Sequence, residues 1–338
     1  MTDHICGYHI LKVLGKGGQG TVYLAEHEVM NKRFALKIAG GEERGQLRGE
    51  AAVMKEMTDR RIPYLVDQIE SSEWTILVME YVEGTGLEEY LKREAPLEED
   101  TALDLLHRIT EIVAYLHGRP EMVAHRDLKP GNFVIAGDGS VHLLDYGCAL
   151  TGMESLRRMD RCGTPGYAAP EQMQGARSGT EADVYSLGAI YAYMLTGIDP
   201  TLPPFHPPKA EECPEGISRE SRQLLHRVLD PEPEKRPPNA CQLLPEIDRV
   251  KKRKRHWVSE VESLAYHVIL FADLLAAIVL VFLRYFETPN TAGEGICGGS
   301  TLMLLFWYLL RSIAGPKQHF VIAREWNVTY TDKKMWGL

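Results

Sequence analysis

Residues 125–132 read His-Arg-Asp-Leu-Lys-Pro-Gly-Asn, and thirteen residues beyond Asn132 stands Asp145-Tyr146-Gly147. Asp127 offers a carboxylate that can orient a hydroxyl or take its proton, and Lys129 places a cation two residues away. Asn132 and Asp145 add an amide oxygen and a second carboxylate. Hard oxygen donors of these two kinds suit Mg²⁺, with Mn²⁺ as an alternative, because such ions keep several waters and borrow phosphate oxygens. A hydroxyl-orienting carboxylate, a nearby cation and a metal-binding pair are together the parts of a phosphoryl-transfer site.

Such groups must be held against a phosphate donor, and the chain has an N-terminal segment fit for that. Gly15-Lys16-Gly17-Gly18-Gln19-Gly20-Thr21-Val22 is a glycine-rich turn whose backbone can approach phosphates closely. Alone that signal is weak, since many hairpins turn on glycine. Lys37 follows Val22 by fifteen residues and closes the apolar run Ala35-Leu36-Lys37-Ile38. A lysine there is ordinarily a surface snorkeller, but behind this loop it is suited to hold phosphates. Residues 8–38 alternate short apolar runs with glycine turns and read as strands, residues 42–57 as a helix, and residues 64–69 and 74–81 as two more strands. From Leu87 the pattern becomes helical, most clearly over residues 100–116 with Gly118 to stop the helix. The order is a sheet first and helices after.

These motifs together resemble protein kinases. The first matches the catalytic loop H-R-D-L-x-x-x-N, and the second is similar to D-F-G with Tyr for Phe. The glycine turn fits G-x-G-x-x-G-x-V, and the lysine run is similar to V-A-I-K. The resemblance covers about residues 8–247 and is closest to the membrane-anchored, eukaryotic-type Ser/Thr kinases of bacteria. It implies an α+β, two-lobed kinase fold with a β-rich N-lobe over residues 1–82 and a helical C-lobe over residues 83–248. ATP would lie between the lobes, under Gly15, Lys16, Gly17, Gly18, Gln19, Gly20 and Val22. Ala35 and the hinge Met79, Glu80 and Val82 would face adenine, with Met79 as gatekeeper. Lys37 would hold the α- and β-phosphates and pair with Glu50, with Glu43 and Glu56 as substitutes because the stretch before this helix is short. Asp127 would orient the acceptor hydroxyl and Lys129 neutralise the transferring group, while Asn132 and Asp145 would bind metal.

The same resemblance gives structural roles. His125 packs beneath the metal-binding motif, Glu171 and Arg236 form a buried brace, and Asp183 caps the catalytic-loop backbone. Arg126 marks kinases whose activation segment is ordered by phosphate, and Thr151, Ser155 and Thr164 are the local phosphosite candidates. If buried, the Tyr146 hydroxyl needs a partner. Lys129 and the stretch Gly163-Thr164-Pro165-Gly166-Tyr167 favour protein substrates with Ser/Thr acceptors over metabolites. The rival reading is an ATP-binding pseudokinase scaffold, whose usual marks, loss of the lysine or of either aspartate, are absent from this sequence.

The chain has 338 residues and a net charge of −9. Residues 249–338 hold 12 Lys/Arg against 7 Asp/Glu, so the acidity lies in residues 1–248. An acidic domain has no basic field to recruit nucleic acid. Cysteines at 6, 148, 162, 213, 241 and 297 show no C-x-x-C pairing and read as reduced cytosolic thiols, without disulfides or zinc. Met1-Thr2-Asp3-His4 leads directly into a strand-like run, and no signal peptide is expected. Beyond a basic juxtamembrane linker over 249–262 lie two apolar stretches, 263–286 and 296–310, flanked outside by Lys251-Lys252-Arg253-Lys254-Arg255 and by Arg311 and Lys317. Length and charge predict a transmembrane hairpin over 263–315 in the plasma membrane, with the kinase domain and a tail over 316–338 both cytoplasmic. His267 and Asp273 fall in the first stretch, and Asp273 there would need a partner on the second helix, on another protomer of a homodimer or on a ligand.

Overall fold

The computed structural model describes residues 4–18, 20–152 and 162–287, with backbone only for 254–262, 277 and 281–287. The chain divides into two compact units, Met1–Lys251 and Lys252–Leu338.

The first unit opens with six strands: β1 His4–Ile5, β2 Tyr8–Gly17, β3 Gly20–His27, β4 Arg33–Gly40, β5 Leu65–Glu70 and β6 Trp74–Glu80. They form one antiparallel sheet in the order β1-β2-β3-β4-β6-β5. The period-2 alternation of β4 decides its two faces. Phe34 and Leu36 join Ile76, Val78 and Tyr8 in a small core on one side. Ala35, Lys37 and Ala39 point the other way, where Ala39 joins Leu77, Met79 and the apolar side of helix α1, Glu43–Lys55. The lysine is therefore carried inward by strand geometry.

The helical part follows the short strand β7, Gly84–Gly86. It contains α2 Leu87–Glu94, α3 Glu99–His117, α4 Pro170–Met173, α5 Thr180–Thr196 and α6 Arg219–Val228. Helix α5 is buried on nearly every face and is the axis of this part. Small sheets hold the connecting loops: β8 Val123–Ala124 with β11 Leu150–Thr151, and β9 Phe133–Ala136 between β7 and β10 Val141–Leu143. Glu171 and Arg236 meet through two hydrogen bonds of 2.8 and 3.0 Å, and the Arg236 guanidinium lies 4.9 Å from the centre of the Tyr185 ring.

Helix α7 runs Ala240–Glu287 without a break, so the basic stretch read as a linker is helical. The reason lies in its composition, which has no glycine or proline after Pro245 until the helix ends. Its window Ser263–Leu280 has a mean hydropathy of 2.1 and is 6% buried. Among the described residues this is the one helix long and apolar enough to cross a membrane. The second apolar stretch, the hairpin loop and the tail lie outside the described residues.

Replacing Glu171 with alanine leaves the Arg236 cation, fully buried in its side chain, without its carboxylate. A loss of about 3–5 kcal/mol is expected from chemical denaturation, since a buried charge stripped of its partner is costly. A loss below 1 kcal/mol would show that the pair does not brace this lobe.

Candidate functional site

Asp183, in the first turns of α5, is fully buried beneath the loop that follows β8. Its carboxylate accepts the His125 and Arg126 N–H groups, each at 2.7 Å, and a third bond at 2.9 Å from His117 Nε2. The Ala240 N–H donates to His117 Nδ1 at 3.0 Å, so the imidazole proton resides on Nε2 and is donated to Asp183. Burial alone would raise the Asp183 pKa, but the hydrogen bonds from His117 and from the Arg126 N–H hold it below the usual carboxylate value. The clamp is needed because Arg126 has φ +68°, a conformation costly for a branched-out side chain. Gln172 Nε2 holds the other end of the same residue, donating to the Arg126 carbonyl at 2.7 Å.

Beyond this clamped residue the loop presents its polar groups together. Lys129 Nζ lies 2.9 Å from Asp127 Oδ2, and the Thr164 hydroxyl donates to Asp127 Oδ1 at 2.7 Å while accepting from Lys129 Nζ at 2.8 Å. Asn132 ends the short 3₁₀ turn Pro130–Asn132, and its Nδ2 donates to the Asp127 carbonyl at 2.8 Å. That bond commits the amide nitrogen and leaves the amide oxygen as the end available to a cation. Gly163 has φ +108°, and a Cβ there would stand 2.8 Å from the Ala168 Cβ and 3.1 Å from the Arg126 carbonyl oxygen. The glycine lets the chain pass close enough to deliver Thr164. The hydroxyl of this phosphosite candidate is engaged by Asp127 and Lys129 in the structure. Thr151 sits in β11 opposite Val123, and Ser155 lies outside the described residues.

Lys37 links the two lobes. Its ammonium lies 2.6 Å from Glu50 Oε2 and 2.7 Å from Asp145 Oδ1. Neither Glu43 nor Glu56 takes that position among the described contacts; the thirteen-residue α1 brings Glu50 to the strand despite its short approach. Burial pulls the lysine down, but the charges of Glu50 and Asp145 outweigh it and leave its pKa raised. One cation serves two carboxylates. Asp145 is held down at about 2, where Lys37, His125 and the Gly147 N–H overcome burial. Burial pushes Glu50 up to about 7 against the pull of Lys37, and the charge of Asp145 adds to the rise. An ionised, partly exposed Asp145, on a segment tied to Asn132 by the Leu144 N–H bond to its carbonyl at 2.9 Å, fits a hard divalent cation, which would supply the missing positive charge. Among the described residues no cluster of three or more His, Cys, Asp or Glu offers another metal site.

The glycine turn joins β2 to β3, pairing Gly15 with Val22 and Gly17 with Gly20. Gly20 has φ +123°, and a Cβ there would fall 2.4 Å from the Ile38 carbonyl oxygen. Gly15, Gly17 and Gly18 face open space, Lys16 is exposed, and Gln19 lies outside the described residues. Ala35 stands opposite Met79 in the β4–β6 register, and the Glu80 N–H donates to the Tyr64 carbonyl where β6 ends.

Two expectations need correction. Tyr146 is buried, its ring centre 5.6 Å from that of His125, and its hydroxyl has no hydrogen-bond partner among the described residues. Burial raises its phenol well above the ordinary value, which keeps it neutral. Cys148 and Cys162 are joined by a disulfide, so these two are not free thiols. Their separation of 14 residues, outside any C-x-x-C spacing, gave no sign of the pairing in the sequence. Cys6, Cys213 and Cys241 are free, and Cys297 lies outside the described residues.

With this geometry in place, comparison with known proteins is informative. Residues 8–261 match the protein kinase domain model. The chain belongs to the protein kinase family. It is 30% identical over 269 residues to serine/threonine-protein kinase PknA of Corynebacterium glutamicum, covering 73% of this chain and 57% of that protein. It is 32% identical over 198 residues to serine/threonine-protein kinase PrkC of Bacillus subtilis, covering 56% and 30% respectively. Myosin light chain kinase A of Dictyostelium discoideum is 30% identical over 241 residues, 66% of this chain and 81% of that one. The chain thus spans little more than half of the first of these relatives and less than a third of the second. The α+β, two-lobed arrangement is the kinase fold. His117, which fixes Asp183 in place, escaped the sequence reading, although its position at the end of α3 and its apolar neighbours marked it as inward-facing.

The crowded lysine makes stability depend on pH. Glu50 has a folded pKa above its unfolded value, so its contribution is complete below about 4.5 and lost as pH rises through about 7. Asp145 contributes in the opposite sense, but its contribution is lost only as pH falls from about 3.8 towards 2, outside that window. Without nucleotide or divalent metal, the stability difference between wild type and Glu50→Gln should therefore fall by up to about 3 kcal/mol between pH 4.5 and 8. Parallel stability curves from urea titrations across this range would refute the assignment.

Proposed function

We propose that the chain is an ATP-dependent serine/threonine protein kinase held at the plasma membrane by its C-terminal apolar region, with the kinase domain cytoplasmic. The observation that carries the catalytic part is a linked set of bonds: Lys37 holds both Glu50 and Asp145, the Asp145 carbonyl is held by His125 of the catalytic loop, and that loop sets Lys129 and the Asn132 amide against Asp127. Family membership and the names of the relatives support the same reading.

In this reading Lys37, held straight by Glu50, takes the α- and β-phosphates of ATP when nucleotide draws it from Asp145. The backbone of residues 15–20 covers the phosphates, and Ala35, Met79 and the Glu80–Val82 backbone line the adenine side. Mg²⁺ held by Asp145 and Asn132 would neutralise charge on the phosphate oxygens. An incoming Ser or Thr hydroxyl donates its hydrogen bond to Asp127, which aligns the oxygen for in-line attack on the γ-phosphoryl. Lys129 neutralises the charge that accumulates on the transferring group. Thr164 belongs to this machinery as a positioning residue, because it fixes both Asp127 and Lys129. Autophosphorylation is in keeping with the hydroxyls near the cleft. The scaffold alternative has no observation in its favour, since every group whose loss would mark it is present and assembled. Lys37→Met and Asp145→Asn should each lower phosphate transfer from labelled ATP to a Ser/Thr peptide by at least about 10²–10³-fold while leaving the fold intact. Full activity in either variant would refute the assignment.

The membrane part rests on the apolar helical window Ser263–Leu280, its exposed Leu264, Phe271, Leu275 and Leu280, and the basic run that precedes it. Basic residues on the cytoplasmic side are the usual orientation signal. A hairpin, with Asp273 paired inside the bilayer or across a homodimer, extends this reading to the second apolar stretch. A chain ended after Asp248 should remain in the supernatant after lysis and ultracentrifugation, whereas the full chain should pellet with membranes. A truncated chain that still pelleted would place the anchor elsewhere.

A further inference from the structure

The disulfide lies at an informative place. Cys148 directly follows Asp145-Tyr146-Gly147, and Cys162 directly precedes Gly163 and Thr164. The bond ties the segment bearing Asp145 to the residue whose hydroxyl bridges Asp127 and Lys129. Each side of the tie is anchored independently. Gln46 of α1 donates to the Gly147 carbonyl at 3.2 Å, and Leu150 and Thr151 pair with β8 just before the catalytic loop. On the far side the Cys162 carbonyl accepts from Gln172 at 3.3 Å, the same amide that holds Arg126. Both cysteines are half-buried, and both line a cavity of about 1040 Å³ with Gln46, Glu50, Arg119 and Arg126, which gives a small reagent access.

We propose that Cys148 and Cys162 form a reversible oxidation site whose disulfide favours the assembled active site; this rests on the kinase reading above. A cross-link favours every arrangement that keeps the two sulfurs at bonding distance and disfavours those that part them. The arrangement described here has the two Cα atoms 6.6 Å apart, and it also has Lys37 on Glu50 and Thr164 on Asp127. The tie thus achieves by connectivity what a phosphate on such a segment achieves by pairing with arginine. In a glutathione-reduced cytosol a bond of this kind is transient and condition-dependent, which is the behaviour of a sensor.

The chemistry requires a two-electron oxidant such as a peroxide. One thiolate attacks a peroxide oxygen, the O–O bond breaks, and the sulfur becomes a sulfenic acid as one water leaves. The second thiol attacks that sulfur, the S–S bond forms, and a second water leaves. Two thiols and one hydrogen peroxide give one disulfide and two waters. A dithiol reverses the bond by exchange, becoming oxidised itself.

The test uses the full chain, wild type and with Cys148→Ser, Cys162→Ser or both, treated with hydrogen peroxide or with dithiothreitol. Non-reducing peptide mapping and the initial rate of phosphate transfer from Mg-ATP to a Ser/Thr peptide are measured on each. The expected result is a 148–162 cross-linked peptide in oxidised wild type only, transferring ~3-fold or more faster than the reduced form and returning to its rate with dithiothreitol. The serine variants should show the reduced rate under both treatments. No cross-linked peptide, an oxidised form no faster than the reduced one, or a response that survives in the serine variants would each overturn the proposal. The comparison of oxidised with reduced wild type decides even where a variant folds poorly. Transfer without any redox response counts against the cysteine pair alone, whereas no transfer in either state overturns the kinase reading and the proposal with it.

Discussion

One buried carboxylate holds the catalytic loop in a shape it would not keep unaided. Asp183 accepts two consecutive backbone N–H groups, of His125 and Arg126, and the second belongs to a residue at positive φ. Strain of this kind persists only where the surroundings over-determine it. Here they do: Asp183 sits on the most buried helix of the domain, His117 fixes its carboxylate, and Gln172 fixes the opposite side of Arg126. The turn at Arg126 sends the chain back so that Asp127, Lys129 and Asn132 face one side.

The second dependence is electrostatic. Lys37 reaches the cleft because β4 alternates, and α1 delivers Glu50 to the same face. Two carboxylates around one buried ammonium leave the site short of positive charge, and the opposite shifts of Glu50 and Asp145 express that shortage. Such a site is suited to receive a cation. In the proposed reading a divalent metal would relieve that shortage, whose cost falls on Glu50, the deeper carboxylate.

Much of this was legible in the residues. The glycine turn, Lys37, the catalytic-loop run and Asp145 are contiguous motifs, because each must present several groups from one short piece of backbone. Sheet and helix order was legible for a similar reason, through periodicity. What escaped were the relations set by tertiary contact alone. Nothing local marks His117 as the partner of Asp183, 66 residues away. Thr164 read as one of three phosphosite candidates, because only the close approach allowed by Gly163 brings its hydroxyl to Asp127, 37 residues earlier. Cys148 and Cys162 lacked a recognisable spacing because the two strand-paired and glutamine-held ends that bring them together lie in different elements.

Thr164 shows how these pieces combine. Its hydroxyl both donates to Asp127 and accepts from Lys129, so it orders the two side chains that the proposed mechanism sets against an acceptor hydroxyl and a transferring phosphoryl. Its own position depends on Gly163 passing beneath Arg126, and hence on the Asp183 clamp. Asp145 stands at the other end of the same segment, bonded to Lys37 across the cleft. In the proposed mechanism a shift of either end is felt at the chemistry: at the Asp145 end through the carboxylate that would bind metal and its lysine, at the Thr164 end through Asp127 and Lys129. The segment between Asp145 and Thr164 is the natural place for control, because its two described ends touch both halves of the reaction centre.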